Sequence, residues 1–232
     1  MTTVLGNLWH LLNPALQIAI YYVIFGVVLT VDRGVDNFIL FLTVGVLVFQ
    51  YTQKATTEGA RSIVSNGGLI RSISFPRAVL PLTTTCTETL AMVPGLLVIA
   101  FVAAATGAEF SLRWFALVPV IALQLLFNTG AALVAARATT HLRDIEQILP
   151  FVFRLLFYAS GIIFSVEEYT DSDVRWLFYL NPLYCSVTAS RWAVEGGTLE
   201  GWVIVSTLMW SFGLLVGGFF WFRAAEAAYG QQ

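Results

Sequence analysis

The chain has 232 residues, 58% hydrophobic and 11% charged, with mean hydropathy +0.79 and a formal net charge of −2. Soluble domains run nearer a quarter charged, so this much apolar surface requires lipid as its solvent. The near-neutral charge argues against nucleic-acid binding, and a single lysine, Lys54, argues against a polybasic lipid-binding patch.

Six apolar stretches of about 20 residues, the length that spans hydrocarbon, predict an all-α integral membrane protein with six transmembrane helices. They fall near 8–30, 38–57, 78–105, 114–136, 145–164 and 201–222, in a single transmembrane domain over 1–232. The first contains Asn13-Pro14, a kink or an entry point. The residues before it lack a basic n-region and a cleavage site, and read as the start of a span rather than a signal peptide. The second turns polar at Gln53, Lys54, Thr56, Thr57 and Glu58, with no breaker before Asn66-Gly67-Gly68. Its helix is therefore expected to continue past the bilayer or along a wet cavity. The third span carries the polar run 83–89, and the fifth carries Arg154.

Between the fifth and sixth spans, residues 165–200 are too many for a turn and too interrupted for a span. Their aromatic centre is split by Asn181-Pro182, which predicts two short outward-facing helices or a re-entrant pair. Lys54, Arg61, Arg71, Arg77, Arg137, Arg143 and Arg223 fall on one side of this topology. Acidic loops with Arg33, Arg113, Arg175 and Arg191 fall on the other, which predicts both termini in the cytoplasm. Cys86 and Cys185 lie on opposite sides, which argues against a disulfide.

There is no GxxxxGK[ST] phosphate loop, nucleophile elbow or CxxC or HExxH metal spacing. The chain offers no catalytic residue and no metal ligand set, so energy from ATP must come from another polypeptide. The segment SNGGLIRSISFPRAVLP at 65–81 is basic and partly amphipathic. A short helix after Asn66-Gly67-Gly68 places Leu69, Ile70 and Ile73 on one face beside Arg71, Phe75 and Arg77. Such a face either inserts into a groove on a cytoplasmic ATPase or touches lipid as an interfacial turn.

The crossing TTHLRDIEQILP at 139–150 offers His141, Arg143, Asp144 and Glu146 as partner contacts or as an ordinary charged turn. Asp144 near a helix start suits the macrodipole. Glu88 and Arg154 inside spans point to a wet path and an anionic substrate group, or to an internal pair or snorkelling. Trp9, Tyr21, Tyr22, Phe25, Phe127, Phe151, Phe157 and Tyr158 offer ring faces on which sugars slide, or form lipid-facing belts. Tyr21 and Tyr22 point to different faces of one helix, so at most one lines a path.

The ordered motifs LGNLWHLLNP (5–14), NGGLIRSISFPRAVLP (66–81), HLRDIEQILPFVFRLLFYASGIIFS (141–165) and FYLNPLY (178–184), with Arg191 beyond, cover nearly the whole chain. In them the chain resembles the ABC-2 type permeases, and most of all the polysaccharide and polyol-phosphate exporters of the Wzm type, which move O-antigen, teichoic acid or galactan. The aromatic content leans toward an actinobacterial galactan exporter subunit. The resemblance implies a homodimer around a central channel in the cytoplasmic (inner) membrane, with two copies of an ABC ATPase subunit. That partner would bind ATP and magnesium and dock through 69–75 and 141–146. The resemblance also implies an outer gate of Trp176, Phe178, Tyr179, Asn181, Pro182, Tyr184 and Arg191, and a lipid-linked polysaccharide substrate with a pyrophosphate head. An ABC-2 drug or lipid exporter, or an ATP-independent carrier, are the alternatives; no inverted-repeat similarity favours the carrier. Two departures stand out. Only residues 1–4 precede Leu5, where the family carries a basic interface helix, so the chain either starts late or lacks it. Ser160-Gly161 stands where the family often has Ser-Pro, which leaves the gate geometry open.

Overall fold

The computed structural model describes residues 9–28, 35–170 and 174–224. The side chain of Trp9 and the loop with Asp32 and Arg33 lie outside the described residues. Each predicted stretch holds a helix. The first is α1 (Trp9–Tyr21), which runs through Asn13-Pro14 and continues as a π-helix over Tyr22–Val28. A proline removes only one backbone bond from a helix, and the flanking turns carry the chain through.

Helix α2 (Phe38–Ser65) has 28 residues, about 42 Å at 1.5 Å per residue, against roughly 30 Å of hydrocarbon. It therefore exceeds the hydrocarbon by about 12 Å, roughly two turns, at the end that carries Glu58 and Arg61. Its start is fixed by Asn37, whose Oδ1 accepts from Leu40 N and whose Nδ2 donates to Thr106 Oγ1 at 2.8 Å. A one-and-a-half-turn helix α3 (Gly67–Ser72) follows, then α4 (Val79–Ala105). A 3₁₀ turn (Leu112–Ala116) leads into α5 (Leu117–His141), which outruns the predicted end at 136 because nothing breaks it before the extended Leu142.

Helix α6 (Ile145–Ala159) is shorter than the predicted 145–164: Gly161 adopts φ +59°, a left-handed conformation that ends the helix. The outer segment holds two single-turn helices, α7 (Val166–Tyr169) and α8 (Trp176–Tyr179), followed by the longer α9 (Pro182–Glu195). The last helix is α10 (Gly201–Arg223).

Helices α2, α4, the α5 unit and α10 are long and apolar enough to cross a membrane, with the shorter apolar helix at Ala15–Val28 beside them. The chain is an all-helical, multi-pass membrane protein. Cys86 and Cys185 are both free thiols.

Helix α2 sits at the centre, apolar on every side from Phe38 to Phe49 and buried along most of its length, with α1, α4, α5, α6 and α9 around it. Helices α4 and α10 expose rows of large apolar side chains, such as Leu90, Leu97 and Phe101, and Trp202, Met209 and Phe220. Small residues set the tightest crossings. A Cβ on Gly59 would lie 2.4 Å from the Ala132 Cβ, and a Cβ on Gly130 would lie 2.4 Å from the Leu214 carbonyl. Polar side chains add cross-links at lipid depth. Gln124 Nε2 donates to Val48 O and to Thr52 Oγ1, each at 2.9 Å, and the Tyr51 and Thr89 hydroxyls pair at 2.6 Å.

Candidate functional site

At the basic end of the bundle, Asn66 closes α2 and opens α3. The predicted common face of α3 is divided. Ile70 turns inward to a small core with Ile63, Leu133, Ala136 and Phe222, while Leu69 and Ile73 are exposed. For Ile73 the cause is local: α3 ends at Ser72, and Ile73 has an extended backbone (φ −138°, ψ 147°) that takes it out of helical register. Phe75 is half-buried over the same small core, Arg71 is exposed, and Arg77 is half-buried.

The other crossing comes to the same place. His141, Arg143 and Asp144 are exposed, and Glu146 Oε2 lies 3.3 Å from Arg61 Nε on the projecting end of α2. Asp144 occupies the N-cap of α6, where its carbonyl accepts from Gln147 N and Ile148 N, each at 3.0 Å. Arg143 and Thr139 share a pocket of about 90 Å³ with Gly67, Ile70 and Arg71 of α3. Two segments distant in sequence thus make one surface, held on the inside by Ile70 and on the outside by Arg61–Glu146.

The aromatic candidates divide by helix face. Tyr21 stacks on Phe157 at 5.3 Å and lies 6.2 Å from Phe25; Phe157 in turn meets Phe49 edge-on at 5.2 Å. Phe127 and Phe157 are buried in the chain's own core. Tyr22, Phe151, Arg154 and Tyr158 are exposed, with the Arg154 guanidinium 5.8 Å from the Phe151 ring centroid. Glu88 is half-buried on α4. The threonine run beside it needs little water: Thr83, Thr84, Thr85, Thr87 and Thr89 each donate to a carbonyl one turn back.

At the opposite end, Asn181 caps α9, its Oδ1 accepting from Leu183 N and Tyr184 N, and Pro182 opens the helix. Asn181 Nδ2 donates to Ser160 Oγ at 3.0 Å, tying α9 to the end of α6. The Tyr179 hydroxyl donates to the Glu200 carboxylate, and Phe178 and Tyr184 pack at 5.5 Å. Desolvation and then the Glu200 carboxylate push the Tyr179 hydroxyl well above its ordinary value, so it stays a donor. Trp176 is exposed and, with Tyr179, Trp202 and Trp210, lines an apolar cleft of about 810 Å³ between α8 and α10.

Arg191 is buried below this layer. Its Nε donates to Phe41 O at 3.2 Å, Nη1 to Gly161 O at 2.8 Å and Nη2 to Ile162 O at 2.9 Å, while the guanidinium carbon lies 3.2 Å from the Phe41 ring centroid. One side chain therefore fastens α9 to the start of α2 and to the turn that ends α6. Burial lowers its guanidinium to about 9, which leaves it charged at neutral pH, and Glu195 one turn on opposes the shift.

A model of the ABC-2 type transporter family matches residues 2–194. The chain belongs to the ABC-2 type transporter family. It is 30% identical to the O-antigen export system permease protein RfbA of Klebsiella pneumoniae over 86% of this chain and 76% of that protein. It is 28% identical to the protein of that name from Myxococcus xanthus, over 80% and 71% of the two chains. The polysialic acid transport protein KpsM of Escherichia coli is 26% identical over 97% of this chain and 87% of its own length.

Within this ABC-2 chain, residues that composition and motifs did not single out hold the working parts together. Arg137 donates from Nη1 to Trp221 O in the last turn of α10, with its guanidinium 4.3 Å from the Trp221 ring centroid. A cation at helix-terminal carbonyls complements the macrodipole. Gln124 and Gly45 likewise act through contacts between distant helices, which no local pattern encodes.

Proposed function

We propose that the chain is the transmembrane permease subunit of an ATP-driven exporter that moves a lipid-linked cell-envelope polysaccharide across the cytoplasmic membrane. The family and the export functions named for its relatives support this reading. The observation that carries it is the single surface formed by α3 and the α5–α6 crossing, suited to receive a motor protein. Two copies of the chain would flank a path, with both termini cytoplasmic. Two ATPase subunits would dock on Leu69, Ile73, Arg71 and Arg143, and these partners would hold ATP and magnesium.

The uninterrupted α2 supplies the mechanical link. Ile63 and Arg61 sit at its docking end, and the Phe41 carbonyl that binds Arg191 sits at the other. A tilt of this one rigid rod moves α9 without any intervening loop. Nucleotide drives transport only if it binds one tilt better than the other. The exposed α6 side chains Phe151, Arg154 and Tyr158 would face the second copy and the path between them. The experiment is deletion of this gene, with lipid-linked glycan then expected to accumulate on the cytoplasmic side. Normal surface glycan in that strain would overturn the substrate class.

A further inference from the structure

A cleft of about 580 Å³ lies between the segment that joins α3 to α4 and the end of α10. Ser74, Phe75, Pro76 and Ala78 line one side, and Phe219, Phe222 and Arg223 line the other. Phe222 is buried and Phe75 half-buried at the small core that also receives Ile70, so the floor of the cleft is fixed. Ser74, Phe219 and Arg223 are exposed at its edges. The two helices set its depth. Helix α10 is long and apolar enough to cross hydrocarbon and ends at Arg223, and α4, equally long, begins at Val79. An exposed apolar row, Phe212, Val216 and Phe219, runs along α10 into the cleft, and Val79 and Leu82 are exposed where α4 starts. The cleft therefore meets hydrocarbon on one side and carries a guanidinium and a hydroxyl at the helix ends, where lipid headgroups lie.

Charge selects the headgroup. Among the described residues that line the cleft none is acidic, and Arg223 forms no ion pair with a described residue. Arg137 adds charge in the same turn of α10, bound to Trp221 O and 4.3 Å from the Trp221 ring centroid, and Arg77 lies between the lining residues Pro76 and Ala78. No stretch of the sequence is polybasic; only the fold gathers these arginines from three distant segments around one cleft. A guanidinium pairs with a phosphate through two parallel N–H donors, and basic pockets between membrane helices suit anionic headgroups. A water-soluble anion has no use for the apolar walls, whereas a phospholipid matches both parts.

We propose that this cleft is a headgroup site for an anionic phospholipid of the leaflet at the basic end of the bundle. The phosphate lies at Arg223 and Ser74, and an acyl chain follows Phe219 along α10. Phe75 joins the site to the core beneath α3, so the bound lipid adjoins the docking surface.

The test uses the full chain with its ATPase partner in nanodiscs that hold phosphatidylglycerol and phosphatidylcholine of the same acyl chains in equal amounts. Native mass spectrometry reads which lipid stays bound. The wild type is expected to retain phosphatidylglycerol over phosphatidylcholine. Arg223→Gln should lower that retention about fivefold, the weight of about 1 kcal/mol for one arginine near a membrane surface. Ser74→Trp fills the cleft without changing its charge and should lower retention as much. Inorganic phosphate at millimolar concentration should displace none of the lipid. Thermal melting of the two variants, both at exposed positions, separates loss of the site from loss of the fold. Equal retention of the two lipids by the wild type, or full retention by Ser74→Trp, overturns the site, because the general charge of this end then holds the lipid. Displacement by phosphate overturns it in favour of a free anion. Glu226 lies outside the described residues. Selectivity found in Glu226→Gln and not in the wild type would show that Arg223 is already neutralised, and would overturn the proposal as well.

Discussion

Arg191 occupies the space that a side chain at residue 45 would need: a Cβ on Gly45 would lie 2.6 Å from Arg191 Nη2. The tip of an arginine normally swings aside at little cost. This one donates to Phe41 O, Gly161 O and Ile162 O, so moving it strands three buried carbonyls. Gly45→Ala is therefore expected to cost about 1–3 kcal/mol, read as a lowered melting temperature in nanodiscs. Arg191→Met should cost at least as much, because each unmet acceptor costs about 1–3 kcal/mol, while Arg191→Lys should recover only part of it. A melt unchanged by both Gly45→Ala and Arg191→Met would show that the three carbonyl contacts contribute nothing.

Helix α10 owes its place to Gly130. A Cβ there would lie 2.4 Å from Leu214 backbone atoms, and backbone cannot move aside as a side chain can. Gly130→Val should force α5 and α10 apart and give a protein that aggregates on extraction from the membrane. Gly213→Ala, one helix face away, meets nothing within 4 Å and should leave extraction and melting unchanged or slightly improved. Size-exclusion profiles of the two variants make the comparison, and equal profiles would refute the close-packing argument.

The contrast between Gly130 and Asn66-Gly67-Gly68 shows what the sequence makes legible. The second group acts locally, ending α2 and opening α3, and its composition alone announces it. Gly130 works through the backbone of Leu214 and Leu215, some 84 residues on in the chain, and reads as one more small residue in an apolar run. The four long spans α2, α4, α5 and α10 were legible because hydrocarbon sets their length; the early stop of α6 was not, because only the φ of +59° at Gly161 ends it. Arg191 stood out by the motif order around it. Its role as a three-way tie required the carbonyls of α2 and of the turn after α6. The face assigned to Leu69, Ile70 and Ile73 assumed a helix through Ile73; the extended Ile73 leaves that register, and within α3 only Ile70 meets the small core.

The Glu195 carboxyl sets the sign of one pH dependence. Its folded value is raised from 4.5 to about 7, chiefly by desolvation, so the folded state holds a proton that the unfolded chain has released. Its contribution to stability is full below about 4.5, declines as pH rises toward 7 and is constant above that. Melting temperature followed from pH 4.5 to 7.5 should show this decline, and Glu195→Gln should flatten that part of the profile. A wild-type slope that persists in Glu195→Gln assigns the titration to another group.

Leu69 and Ile70 are adjacent in α3, the first exposed and the second buried, which separates docking from folding. Ile70 is buried against Ile63, Leu133, Ala136 and Phe222, so Ile70→Asp puts an unpaired charge into a core and should lower the melting temperature steeply. Leu69 and Ile73 are exposed, and changing both to Asp should move stability by no more than about 0.5 kcal/mol at each site. If the exposed side chains carry the ATPase contact, the Leu69→Asp, Ile73→Asp variant should be well folded yet fail to co-purify with that subunit. Charge reversal at Glu146 should have a milder effect, since the Arg61–Glu146 pair is partly solvated and worth about 0–1 kcal/mol. An ATPase subunit retained on the Leu69→Asp, Ile73→Asp variant would place the docking contact elsewhere, with Arg143 and His141 of the α5–α6 crossing the next residues to change.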